Sequence, residues 1–90
     1  MYLHVGNQVN IRERDIIGIF DMDRTTTSKI TRKYLTDAQK RDLVISAKDE
    51  VPKSFILYLE HPSEEVKICF SQLSTSALVG RVETTRGDTV

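Results

Sequence analysis

Between Pro52 and Arg81 the chain reads PKSFILYLEHPSEEVKICFSQLSTSALVGR, and this stretch limits the fold more than any other. Phe55, Leu57 and Leu59 alternate with Ser54, Ile56 and Tyr58, so both faces of this first strand are largely apolar. Such a strand belongs inside a sheet with both faces covered, not at a half-wet edge. His61-Pro62-Ser63-Glu64-Glu65 has turn composition, and Pro62 has no N–H to give to a ladder. Val66, Ile68 and Phe70 then alternate with Lys67, Cys69 and Ser71. Two strands joined so closely pair antiparallel. Ser74 is placed to cap a closing helix, with Leu73 and Leu78 at the positions of a hydrophobic staple.

Whatever packs on that unit must come from the preceding residues. Tyr2-Leu3-His4-Val5 reads as a short strand, Gly6-Asn7 as a turn, and Val9 and Ile11 mark a second short strand. Arg12-Glu13-Arg14-Asp15 is a charged corner. The continuous run Ile16-Ile17-Gly18-Ile19-Phe20 predicts a buried strand, in which Gly18 leaves room for a close backbone or helix. Ser28 predicts the N-cap of a three-turn helix from Lys29 to about Arg41. At about 100° per residue, Ile30, Tyr34, Leu35 and Ala38 share one face. Lys29, Arg32, Lys33 and Lys40, with Thr36 among them, take the opposite one. Leu43-Val44-Ile45 predicts a short strand, and Ser46 to Val51 a loop leading to Pro52, which biases Val51 to extended geometry. The order strands, helix, strands, helix predicts an α+β domain. Its expected form is a small mixed or antiparallel sheet with helices on one side or end, one longer helix and a short C-terminal helix.

Ninety residues make one domain, expected over residues 1–82, with 83–90 a flexible tail that has little to bury. A core this small gains from self-association. The 13 Lys+Arg and 13 Asp+Glu cancel, so bulk charge does not single out nucleic acid; only clustering can. The lone Cys69 excludes an intrachain disulfide, fits a reducing compartment, and sits where a small buried hydrophobe belongs. The N-terminus lacks a basic segment followed by an apolar one, and no apolar run nears the ~20 residues of a membrane helix. The expectation is a cytoplasmic protein with no membrane partner, no metal and no cofactor.

Ile16 to Thr25 is an apolar strand followed by Asp21-Met22-Asp23-Arg24-Thr25, the D-x-D-x-T pattern of haloacid-dehalogenase-type phosphatases. That chemistry also needs further carboxylates holding Mg²⁺ and a cation on the transferring phosphoryl. It is built on a doubly wound parallel sheet. Too few residues follow Thr25 to supply these parts, so Asp21 and Asp23 are read as closing a strand and shaping a turn. His4, His61 and Cys69 have no metal-ligand spacing, and Ser71, Ser74 and Ser76 suit cap or turn roles. No enzyme is expected.

Several fragments together carry a resemblance: Met1-Tyr2-Leu3-His4-Val5-Gly6, Asp15-Ile16-Ile17-Gly18-Ile19-Phe20-Asp21, Thr25-Thr26-Thr27-Ser28-Lys29, Pro52-Lys53-Ser54-Phe55-Ile56-Leu57 and Ser71-Gln72-Leu73-Ser74-Thr75-Ser76-Ala77-Leu78. In order and spacing the chain resembles the small bacterial extracellular-matrix regulators of the RemA/RemB family, the RemB branch most closely, from Met1 to about Arg81. The resemblance implies a cytosolic regulator of biofilm-matrix genes. It also implies a protomer similar to LytTR-type DNA-binding domains and, as in the DNA-binding branch, a ring of identical subunits. That branch carries an Arg at the start of its apolar strand and an Arg pair shortly before its hairpin. Here the first position is Asp15, with Arg14 beside it, and the pair falls near Glu50-Val51, with Lys53 nearby.

Two readings follow. In the first, the protein is an oligomeric DNA-binding transcriptional activator using phosphate contacts, and Arg12, Arg14, Lys29, Arg32, Lys33 and Lys53 are the candidate contacts to double-stranded DNA. In the second, it is a ring-forming scaffold of the same family with a protein partner and no DNA. Arg12 and Arg14 have an ordinary alternative, pairing with Glu13 and Asp15 at the surface.

Overall fold

The computed structural model describes residues 2–6, 9–45 and 51–87, with side chains described as far as Val82. The turn expected at Asn7, most of the expected loop (46–50) and the end of the expected tail (88–90) lie outside the described residues. The elements are β1 (Tyr2–His4), β2 (Asn10–Arg12), a 3-10 turn (Glu13–Asp15), β3 (Ile16–Asp21), α1 (Met22–Thr25), α2 (Lys29–Lys40), β4 (Val44–Ile45), β5 (Ser54–Glu60), β6 (Glu65–Ser71) and α3 (Thr75–Gly87).

β5 and β6 pair antiparallel in unbroken register from Ser54↔Ser71 to Glu60↔Glu65. β3 joins the free edge of β5 antiparallel, and β4 joins β6 parallel, giving a mixed sheet of order β3-β5-β6-β4. The hairpin is interior, as its two-sided apolar pattern predicts. On one face Phe55, Ile68 and Phe70 are buried with Leu35 and Ala38 of α2. On the other, Ile56, Tyr58 and Cys69 are buried with Leu3, Val5 and Ile11 of the separate β1–β2 ribbon and with Leu78 of α3. The helices therefore cover opposite faces, not one side or end. A sheet apolar on both sides leaves no alternative, since an uncovered face would keep its aromatic and aliphatic side chains in water.

α2 begins as expected, with the Thr31 N–H donating to Ser28 Oγ. It ends in a two-bond cap: Asp42 N–H donates to Gln39 O and Leu43 N–H to Ala38 O. Asp42 takes the left-handed conformation (φ 60°) usually given to glycine there. Only half of the expected apolar face is buried. Leu35 and Ala38 meet the sheet, whereas Ile30 is 83% exposed and Tyr34 45%. The sheet beneath is narrow and reaches one side of that apolar arc only.

β3 is an edge strand, not a buried one. A register shift between Ile16 and Gly18 bulges it, and Ile17 is exposed while Ile16, Ile19 and Phe20 are partly covered. The close approach at Gly18 comes from the ring of Phe20, two atoms of which lie 2.7 Å from where a Cβ would be. That space lets Phe20 stack on Phe55, ring centroids 5.1 Å apart. The D-x-D segment does not stay a simple turn: Asp21 accepts from Arg24 N–H and caps α1. Among the described residues no helix is long and apolar enough to cross a membrane.

Two buried hydroxyls tie the ends together. Ser54 and Ser71 face each other across the hairpin and are both fully buried. Ser71 Oγ donates to Val5 O (2.8 Å) and accepts from Leu73 N–H (3.1 Å), while Ser54 Oγ donates to Leu73 O (2.6 Å). One serine thus satisfies backbone groups of the N-terminal strand and of the entry to α3, where Ser74 Oγ accepts from Ala77 N–H. Ser71→Ala leaves an acceptor and a donor unpaired, at a cost of about 2–4 kcal/mol. A urea midpoint unchanged from the parent protein would refute this.

Cys69 lies in the same core, 1% exposed, and burial pushes its thiol from 9.0 up to about 11. The folded state then keeps a proton that the unfolded chain releases, so stability is full below pH 9 and is lost as pH rises toward 11. This loss is about 2–3 kcal/mol from Cys69 alone. The alkaline decline measured by urea unfolding is expected to be smaller by that amount in Cys69→Ala than in the parent protein.

Candidate nucleic-acid interface

Three of the six candidate cations come together on α2. Ser28 starts the helix and Leu35 and Ala38 fix its buried side, which turns Lys29, Arg32 and Lys33 outward with Lys40. These four span an arc of about 100° with Thr36, and no carboxylate falls within it. Along the axis, Lys29 to Lys40 covers about 16 Å. No acidic residue occupies the first turn, so the peptide dipole there is met by Lys29 rather than by a compensating carboxylate. Lys29, Arg32 and Lys33 are exposed and have no ion pair among the described residues.

The other three candidates are divided by the sheet. β3 runs from Ile16, opposite Tyr58, to Asp21, opposite Ser54. Arg12 closes β2 and Arg14 sits in the 3-10 turn, at the end where β3 begins. Lys53 precedes β5 at the far end, where its carbonyl accepts from Met22 N–H as α1 departs. A six-residue strand, about 17 Å long, separates the two ends. All three side chains are exposed. Arg12 and Arg14 do not pair with Glu13 and Asp15; Asp15 Oδ1 is instead 3.1 Å from His61 Nε2 at the hairpin turn. An ion pair of Lys67 with Glu60, at 2.8 Å, lies on the same hairpin.

Sequence reasoning missed a groove of about 380 Å³ beside the β1–β2 ribbon, lined by Tyr2, Asn10, Arg12, Tyr58 and His61 among others. Tyr2 and Arg12 are register partners on the ribbon. Tyr58 is only 7% exposed, and burial, aided by Cys69 and Glu60 nearby, pushes its hydroxyl up to about 12. It stays a neutral donor across the physiological range. No local pattern announces this groove, because its walls come from distant parts of the chain.

Neither Asp21, held as a helix cap, nor Asp23, exposed on α1, joins other acids: among the described residues no group of three His, Cys, Asp or Glu is placed to hold a metal ion. No family model matches the chain. The Extracellular matrix regulatory protein B of Bacillus subtilis (strain 168) is 30% identical to it over 83 residues, 92% of this chain and 91% of that protein. The likeness covers more than nine-tenths of both chains, and the protein carrying it is named as regulatory. The chain therefore belongs to the extracellular matrix regulatory protein family and is similar to its B-type member.

Proposed function

We propose that this protein regulates extracellular-matrix (biofilm) gene expression, acting in the cytoplasm as a homo-oligomeric transcriptional activator that holds double-stranded DNA by its phosphates. The relative's name supports the regulatory role. The carboxylate-free arc of Lys29, Arg32, Lys33 and Lys40 carries the DNA reading. In a chain of formal net charge +0, four outward cations on one helix are a concentrated exception. Such contacts position a protein on a duplex without reading its sequence. One arc makes few contacts, so the binding unit is an assembly in which several protomers act at high effective concentration. Exposed Ile30 and Tyr34 on α2 and Ile17 on the β3 edge are unlike apolar patches in separate places. Head-to-tail contact between unlike patches gives a ring when the rotation closes. Arg12, Arg14 and Lys53 then add cations at the two ends of each sheet.

A second reading has a specific observation behind it. Asp15 stands where the DNA-binding branch carries an Arg, and it is held by His61. A ring-forming scaffold with a protein partner and no DNA fits that replacement. Light scattering with a matrix-gene promoter duplex across a salt series separates the two. The triple variant Lys29→Glu, Arg32→Glu, Lys33→Glu is expected to assemble normally and to bind the duplex at least about 100-fold more weakly. Its slope of log affinity against log salt is expected to be shallower by nearly 3, about 0.9 for each phosphate that is no longer neutralised. An intact assembly of the parent protein that ignores DNA even at low salt selects the scaffold.

A further inference from the structure

We infer that the groove between the β1–β2 ribbon and β5 is a binding site for a small, flat aromatic anion about the size of a mononucleotide. This goes beyond regulation through DNA and does not depend on it.

Register pairing in the ribbon sets Tyr2 directly opposite Arg12, which brings their Cβ atoms to about 5 Å and both side chains to the same exposed side. An aromatic face and a guanidinium are thereby offered together. Across the groove stands Tyr58, more than nine-tenths buried, with its body in the core beside Leu3 and Ile11. Its hydroxyl has no hydrogen-bond partner among the described residues, yet it is not sealed from solvent, so it opens to the groove. A phenol whose ring sits in the core and whose O–H opens to solvent is placed to donate to a ligand that enters the groove.

Charge decides the sign of the ligand. Asp15 and Glu60 also line the groove, but both carboxylates are engaged, Asp15 Oδ1 at 3.1 Å from His61 Nε2 and Glu60 paired with Lys67 at 2.8 Å. Arg12 lines it with no carboxylate partner among the described residues. The charged lining group left without a partner among the described residues is therefore Arg12, and a guanidinium suits a planar or tetrahedral oxyanion. Ile11 and Ile45 supply apolar wall for a flat body, and Tyr2 supplies a stacking face. A volume of about 380 Å³ lies at the small end of ligand pockets.

Two sources share this chemistry, nucleoside monophosphates and aromatic carboxylates. Isothermal titration of the full chain with AMP, with 4-hydroxybenzoate and with inorganic phosphate tells them apart. At least one of the two aromatic anions is expected to bind with Kd below about 1 mM. Arg12→Gln should weaken that binding about tenfold or more, and Tyr58→Phe about three- to tenfold, the range for losing a charged and a neutral hydrogen bond. The triple change Lys29→Gln, Arg32→Gln, Lys33→Gln should leave it unaltered. AMP alone binding identifies the nucleotide source, and 4-hydroxybenzoate alone the carboxylate source. The inference is overturned by neither aromatic anion binding at about 1 mM, by phosphate binding as tightly as AMP, or by binding abolished in the α2 triple and kept in Tyr58→Phe. Because Tyr58→Phe preserves the buried ring, a folded variant with unchanged affinity also counts against the site.

Discussion

A sheet that is apolar on both faces governs this molecule. The β5–β6 hairpin carries Phe55, Ile68 and Phe70 on one side and Ile56, Tyr58 and Cys69 on the other. At about 25 cal/mol per Å² of apolar surface removed from water, neither side can be left open in a small domain. Every other element answers that demand. α2 closes one face, and the other takes two pieces, the ribbon and α3, from opposite sides of the hairpin in sequence. The buried pair Ser54 and Ser71 then stands where those two pieces meet the hairpin, satisfying the backbone groups that the junction would otherwise strand.

What was legible in the sequence was local. Period-two alternation showed the hairpin, and Ser28 and Ser74 showed where helices start, because a cap is a contact between residues three apart. What was not legible depended on partners far along the chain. Ile16 to Phe20 reads the same whether a strand is central or at an edge; the bulge and the single neighbour that make it an edge come from its register with β5. Ile30 and Tyr34 belong to the apolar arc of α2 by period, and their exposure reflects the width of the sheet underneath. The first two strands read as strands, but nothing in them shows that they pair only with each other and lie across the sheet.

The candidate site divides in the same way. Lys29, Arg32 and Lys33 were recognisable as a group because one helix holds them. Arg12 and Arg14 on one side and Lys53 on the other are set apart by the antiparallel run of β3 along β5, which no charge pattern encodes. The groove is the extreme case. Tyr2 and Arg12 are brought opposite each other by ribbon pairing, and Tyr58 lines the same groove because the ribbon lies on its face of the sheet. A chain with no net charge can thus carry a cationic helix on one face and an unmatched arginine on the other without either showing in its composition.

The placement of α3 has a consequence for how the protein is made. Both buried clusters need residues of the hairpin, and the ribbon-side cluster also needs Leu78, which has no exposed surface at all. The β1–β2 ribbon cannot complete its docking until the hairpin and Leu78, far along the chain, have followed it out of the ribosome. A chain that ends before Leu78 leaves the ribbon-side cluster open, so that face closes after the α2 face, and the waiting ribbon is open to proteases and holdase chaperones until then.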